Sequence, residues 1–103
     1  MVWRPGSLVG VTYELLYTAE ADEALDMLEG DPRMATVLRA VDRTLVRLAA
    51  DPFNPRLGTI PFITEPLGGV CATSAGIDDW YVIWQRAPEP ETIDIIAIIQ
   101  IQR

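Results

Sequence analysis

The sequence predicts an α+β domain, a two-helix hairpin packed on a small antiparallel sheet. Three observations carry this reading. Apolar residues recur every three or four positions from Ala21 to Leu48, the period of helices with one buried side. Beyond Asp51-Pro52 they recur mostly every second position, the period of strands. Turn formers at Gly68-Gly69, Gly76–Asp79 and Ala87–Glu91 divide that second half into hairpin-linked segments. Hairpin-linked strands run antiparallel, and helices grouped ahead of them cover one face of the sheet.

Each element follows from its residues. Residues 1–10 hold Pro5, Gly6 and Gly10 and read as an irregular leader to a single domain over 11–103. Val11, Tyr13, Leu15 and Tyr17 alternate with Thr12 and Glu14, which predicts a strand over 11–17 with its odd face inward. Thr18 is placed to cap a helix from Ala19 to Glu29 that ends at Gly30. Ala21, Ala24, Leu25 and Leu28 form its inner side, and Glu20, Asp22, Glu23, Asp26 and Glu29 face mostly outward. Glu20 and Glu23 also suit the positive end of the helix dipole. Asp31-Pro32 starts a second helix over 32–49, with Asp as cap and Pro in the first turn. Met34, Val37, Leu38, Val41, Leu45 and Leu48 make its buried stripe, and Arg39, Arg43 and Arg47 line another side.

After the turn-rich stretch 51–61, a short strand over 59–63 is held to an edge by Pro61. Gly68-Gly69 leads into a strand over 70–75. Trp80–Gln85 is apolar on both faces, which predicts a central strand. In the last strand, over 93–101, Ile93, Ile95, Ala97, Ile99 and Ile101 fall on one face. Asp94, Ile96, Ile98, Gln100 and Gln102 fall on the other. The expected core is Leu25, Leu28, Val37, Leu38, Val41, Leu45, Trp84, Ile95 and Ile99.

Composition bounds the function. The chain has 103 residues, half of them apolar, enough for one modest core. It has no histidine, and Cys71 is its single cysteine. That excludes histidine-based acid–base catalysis, Ser-His-Asp and Cys-His pairs, internal disulfides and cysteine-rich zinc sites. No phosphate-binding or dinucleotide-binding glycine motif occurs, so no metal and no cofactor is expected. All eight basic residues are arginine, and the net charge is −7. Such a balance opposes direct DNA binding, which relies on cations. The charge is uneven, with net −5 over residues 1–30, +2 over 31–60 and −4 over 61–103. The longest apolar run, Ile95–Ile99, is far too short to span a membrane, and the leader lacks a secretion signal. A soluble, cytoplasmic protein is expected.

Four features carry competing readings. The Arg39/Arg43/Arg47 stripe suits phosphate or an acidic partner segment, or salt bridging to Asp22, Asp26 and Glu29. The paired carboxylates Asp78-Asp79 and Glu89/Glu91 suit a metal or general-acid role or, in turns, local backbone bonding and solubility. Cys71 without a nearby base reads as a small buried hydrophobe. Trp80 and Trp84 suit base stacking or, on one face of a central strand, packing against the helices.

Several phrases resemble the RelE/ParE toxin superfamily of bacterial toxin–antitoxin systems, over about residues 11–103. Tyr17-Thr18-Ala19-Glu20-Ala21 resembles the phrase at its first strand end. Leu48-Ala49-Ala50-Asp51-Pro52 with Gly58 is similar to the one after its second helix. Gly76 with Asp79-Trp80-Tyr81-Val82-Ile83-Trp84, and Ile98-Ile99-Gln100-Ile101-Gln102-Arg103, resemble its closing strands. The resemblance implies a toxin-like component, a protein antitoxin, and either of two activities. Nuclease members cut messenger RNA on the ribosome with Arg, Lys, Tyr, His or Glu side chains. ParE-type members inhibit DNA gyrase by binding.

At the positions that match the nuclease pattern this chain has Tyr81 in place of Arg, Trp84 in place of Tyr and Gln102 in place of His. The weak catalytic candidates left are Tyr81, Arg86, Arg56 and Arg103. The loss of ionisable groups favours action by protein binding over an endoribonuclease. A third reading is a non-toxic, self-associating module of the same fold. Ile96 and Ile98, read on one face with Tyr81 and Ile83, form an apolar surface that suits an antitoxin segment or a second copy of the chain, with Trp3 and the leader 1–10 a third cover within the same chain. Contact there is expected to respond little to salt.

Overall fold

The computed structural model describes residues 12–64 and 68–101, without the side chains of Phe62 and Thr64. The leader 1–10, Val11, Gln102 and Arg103 lie outside the described residues. The elements run β1 (Glu14–Tyr17), α1 (Ala19–Glu29), α2 (Ala35–Ala50), β2 (Ile60–Thr64), β3 (Gly68–Ser74), β4 (Trp80–Arg86) and β5 (Thr92–Gln100). Short 3-10 turns cover Pro32–Met34 and Pro55–Leu57. The strands form one sheet in the order β1-β5-β4-β3-β2, with both helices packed on one side. This is the α+β arrangement the periodicity predicts.

The sheet is mixed. β2 to β5 pair antiparallel through hairpins, as expected, but β1 pairs parallel to β5, with Glu14 opposite Thr92 and Tyr17 opposite Ile95. Nothing local forces β1 antiparallel, because its partner is the last strand and not a hairpin neighbour. The helical segment and three further strands intervene, so the chain has length to return in either sense. Gly68-Gly69 belongs to β3 rather than to a turn before it.

The first helix uses its predicted cap, whereas the second starts at Ala35, three residues later than expected, and Asp31 caps the 3-10 turn ahead of it. Thr18 Oγ1 accepts the N–H of Ala21 at 3.1 Å. Asp31 accepts the N–H of Arg33 at 3.0 Å, with Pro32 opening a 3-10 turn that leads into α2. α2 buries Val37, Ala40, Val41, Thr44, Leu45 and Leu48. Of these, Val37, Val41, Leu45 and Leu48 make the main core with Ala21, Leu28 and Leu57 and, from the sheet, Val82, Trp84, Ile93, Ile95 and Ile98. Leu25 and Leu38 pack against it partly buried. Burial of Trp84 needs a partner for its indole. Its N–H donates to Thr73 Oγ1 at 2.9 Å, and Thr73 shares a 2.7 Å bond with Thr59.

One expectation fails in β5. Ile83 pairs with Ala97 and Trp84 with Ile95, so Ile96 is an extra residue with no partner on β4. Such a bulge reverses which face each later residue takes. Ile98 therefore enters the helix-side core at 3% exposure, while Ile99, expected in that core, is 38% exposed. Ile96 and Ile98 lie on opposite faces, not on one. Thr18 braces the bulge, its hydroxyl donating to the Ile96 carbonyl at 2.6 Å and its N–H to the Ile95 carbonyl at 3.1 Å.

Candidate functional site: an apolar cleft beside the first helix

α1 buries only Ala21 and Leu28, because acids occupy most of its other positions. Past its end, the chain turns through Asp31–Met34 and leaves a gap against the far ends of β4 and β5. The result is an open cleft of about 470 Å³. Ala24, Met27 and Leu28 form one wall, Asp31 and Met34 the end, and Trp80, Ile98, Ile99 and Gln100 the other wall. Met27 stands 75% exposed at its rim. A flexible thioether and a tryptophan face make an adaptable apolar surface. The indole N–H of Trp80 is buried with no acceptor among the described residues.

The strand wall is fixed at its outer end. Gln100 Nε2 donates to the Asp78 carbonyl at 2.9 Å, and the Ile101 N–H donates to the Asp79 carbonyl at 2.9 Å. Asp78 and Asp79 hold positive φ angles of 47° and 59°, a conformation Asp tolerates better than most residues. They shape the tight turn into β4. At the cleft's end, Arg33 bonds Asp31 through two nitrogens, at 3.1 and 3.0 Å. These bonds hold the Asp31 carboxyl below the usual carboxylate range.

The sequence-predicted residues are placed elsewhere for the most part. Tyr81 and Ile83 do share the face away from the helices, and Ile96 joins them. That face is largely closed: Val70, Ala72, Ile83 and Ala97 are each no more than 8% exposed. Tyr81 and Arg86 lie on opposite faces of β4, five residues apart, so their Cα atoms are separated by roughly 16 Å. Arg86 rests its guanidinium 4.8 Å from the Phe53 ring centre, beside an edge-on Tyr13. It lines a second, more polar hollow of about 380 Å³ with Glu89 and Glu91. Arg56 is exposed in the turn after α2. No two of these described candidates converge on one point as an acid–base pair would.

Arg39, Arg43 and Arg47 are exposed along α2. Among the described residues no carboxylate pairs with them; the ion pair there is Arg33–Asp31. Cys71 packs partly buried against the main core, and burial pushes its thiol up, away from the reactive thiolate. No group of three His, Cys, Asp or Glu side chains among the described residues is arranged to hold a metal. No described helix is long and apolar enough to cross a membrane.

Sequence reading missed the cleft. Its one legible signal was Met27, a large apolar residue between Asp26 and Leu28 that lies off the buried stripe of α1. Neither reading of Trp80, base stacking or packing against the helices, places it in a cleft with α1, and the bulge that sets the strand wall has no marker in the sequence.

No protein-family model matches this chain, and no curated protein matches it. Solved structures do. A YoeB/ParE toxin from Agrobacterium tumefaciens superposes with a TM-score of 0.69 at 9% identity, over 86% of this chain and 99% of the other. The RelBE2 toxin–antitoxin complex from Mycobacterium tuberculosis contains a chain that superposes at 0.63 with 22% identity, over 88% and 93%. The archaeal RelE-RelB complex from Pyrococcus horikoshii gives 0.63 at 16% identity, over 87% and 96%. The fold is thus one used by toxins of toxin–antitoxin pairs. What those structures and this chain share is the arrangement of two helices on a five-strand mixed sheet.

Proposed function

We propose that this protein is the toxin-like component of a type II toxin–antitoxin system and that it acts by binding other proteins rather than by cutting RNA. The observation that carries this reading is the contrast between its two kinds of candidate site. The apolar cleft at Met27, Met34 and Trp80 is open and suited to an apolar side chain of a protein. The ionisable candidates Tyr81, Arg86 and Arg56 are scattered, and the net charge of −7 disfavours grip on an RNA backbone. The fold shared with toxins supports the toxin-like role, and two of those neighbours were solved as toxin–antitoxin complexes. An antitoxin segment is the partner proposed for the cleft.

Inducible expression in a bacterial host tests this. Growth is expected to slow while messenger RNA on ribosomes stays intact, and Tyr81→Phe and Arg86→Ala are expected to change neither result. Ribosome-dependent cleavage that either substitution abolishes would establish an endoribonuclease instead. Absence of any growth effect would leave the non-toxic, self-associating module.

A further inference from the structure

The cleft has a charge pattern as well as an apolar lining. None of its described lining residues is basic, and α1, which forms one wall, carries five acids and no cation along its whole length. Helical spacing sets Glu20 one turn before Ala24 and Glu23 one turn before Met27, on the cleft side of the helix. Both are exposed. On the opposite wall, exposed Asp78 precedes Trp80 by two residues, and its carbonyl is bonded by Gln100. The nearest cation in sequence, Arg33, is committed to Asp31.

We propose that the cleft receives a basic amphipathic segment of a partner protein. A bulky apolar side chain of the segment enters between Met27, Met34 and Trp80. Flanking arginine or lysine side chains meet Glu20 and Glu23 on one wall and Asp78 on the other. This rests on the reading of the cleft as a partner-binding site and adds the partner's chemistry. The sign of the charge decides among occupants. A second copy docked by the same surface would set the acids of α1 against those of its mate, and like charges across an interface are costly. A nucleic acid would bring more negative charge to the same walls. A cationic segment gains at both walls, and exposed acids hasten its arrival in a salt-dependent way. The salt-insensitive contact expected from the sequence belonged to the other face of the sheet, where Val70, Ala72, Ile83 and Ala97 are buried and Tyr81 and Ile96 partly so.

Selection of short random peptides displayed on phage against the full chain tests the proposal. Recovered peptides are expected to carry one large apolar residue flanked by arginine or lysine. Synthetic copies should change the tryptophan fluorescence on binding. Affinity should fall by about tenfold or more in the double variant Glu20→Arg/Glu23→Arg, and again in Met27→Asp. It should also fall severalfold between about 50 and 300 mM salt. All three positions are exposed, and circular dichroism melts will show that the variants remain folded. Recovery of neutral or acidic peptides, recovery of none, or unchanged binding by both variants overturns the proposal. So does a dimer seen by sedimentation that Met27→Asp dissolves, since the cleft would then belong to a second copy. A chain that binds basic peptides but leaves growth untouched would defeat the toxin-like role and leave this inference standing.

Discussion

The two halves of β5 follow the same alternation in opposite phase. In the first half, Ile93 and Ile95 face the helices and are both 0% exposed. In the second, Ile98 takes the inward place at 3%, and Ile99 faces away at 38%. The single unpaired residue Ile96 separates them. The comparison teaches that a period-two pattern identifies a strand, whereas the face of each residue can be read only as far as the next bulge. Here the shift also has a consequence for function. It closes the core with Ile98 and leaves Ile99 at the lip of the cleft.

The largest expected effect lies in the first half. Ile95→Ala should cost about 2–5 kcal/mol in urea melts, because a fully buried side chain leaves a cavity. A loss below about half a kcal/mol would mean the first half is not the anchor. Next comes the brace. Thr18→Ala removes a helix cap, worth about 0.5–2 kcal/mol, and also the hydroxyl bonded to Ile96. Amide exchange near the bulge should quicken in this variant; unchanged exchange there would separate the cap from the bulge. Met27→Asp should change stability by no more than about 0.5 kcal/mol, as expected of a side chain 75% exposed at the cleft rim. A clear loss would make Met27 part of the core.

The smallest effect concerns alkaline pH. The Tyr17 phenol is pushed above its ordinary 10.0, first by burial and then by Asp42 and Asp22. Below pH 10 it is neutral in both folded and unfolded chains. Above that, the unfolded chain loses the proton more readily, so this contribution to stability declines as pH rises through the folded value. Tyr17→Phe should flatten the alkaline side of the stability profile slightly. An unaltered slope would place the alkaline sensitivity in other groups.

Much of the fold was legible in the sequence. α1 begins and ends where Thr18 and Gly30 place it, because caps act through local hydrogen bonds. The Val37–Leu48 stripe is buried because helical spacing admits one inward side. The parallel pairing of β1 was not legible, since strand sense depends on a partner far along the chain. The bulge was hidden for a different reason. Ile95-Ile96-Ala97-Ile98-Ile99 contains no polar residue to mark which side faces water, so either phase satisfies the pattern. The cleft was hidden with it, because its strand wall depends on that phase. Tyr81 and Arg86 are near in sequence, yet an odd spacing on a strand sends them to opposite faces.

The most direct test pairs one substitution on each side of the disputed phase. Ile98→Ala and Ile99→Ala remove the same atoms from adjacent positions, and urea unfolding compares their costs. The bulged strand predicts a loss of about 2–5 kcal/mol for Ile98→Ala and under about 1 kcal/mol for Ile99→Ala. The opposite order, with Ile99 the costly position, would contradict the bulge and with it the strand wall of the cleft.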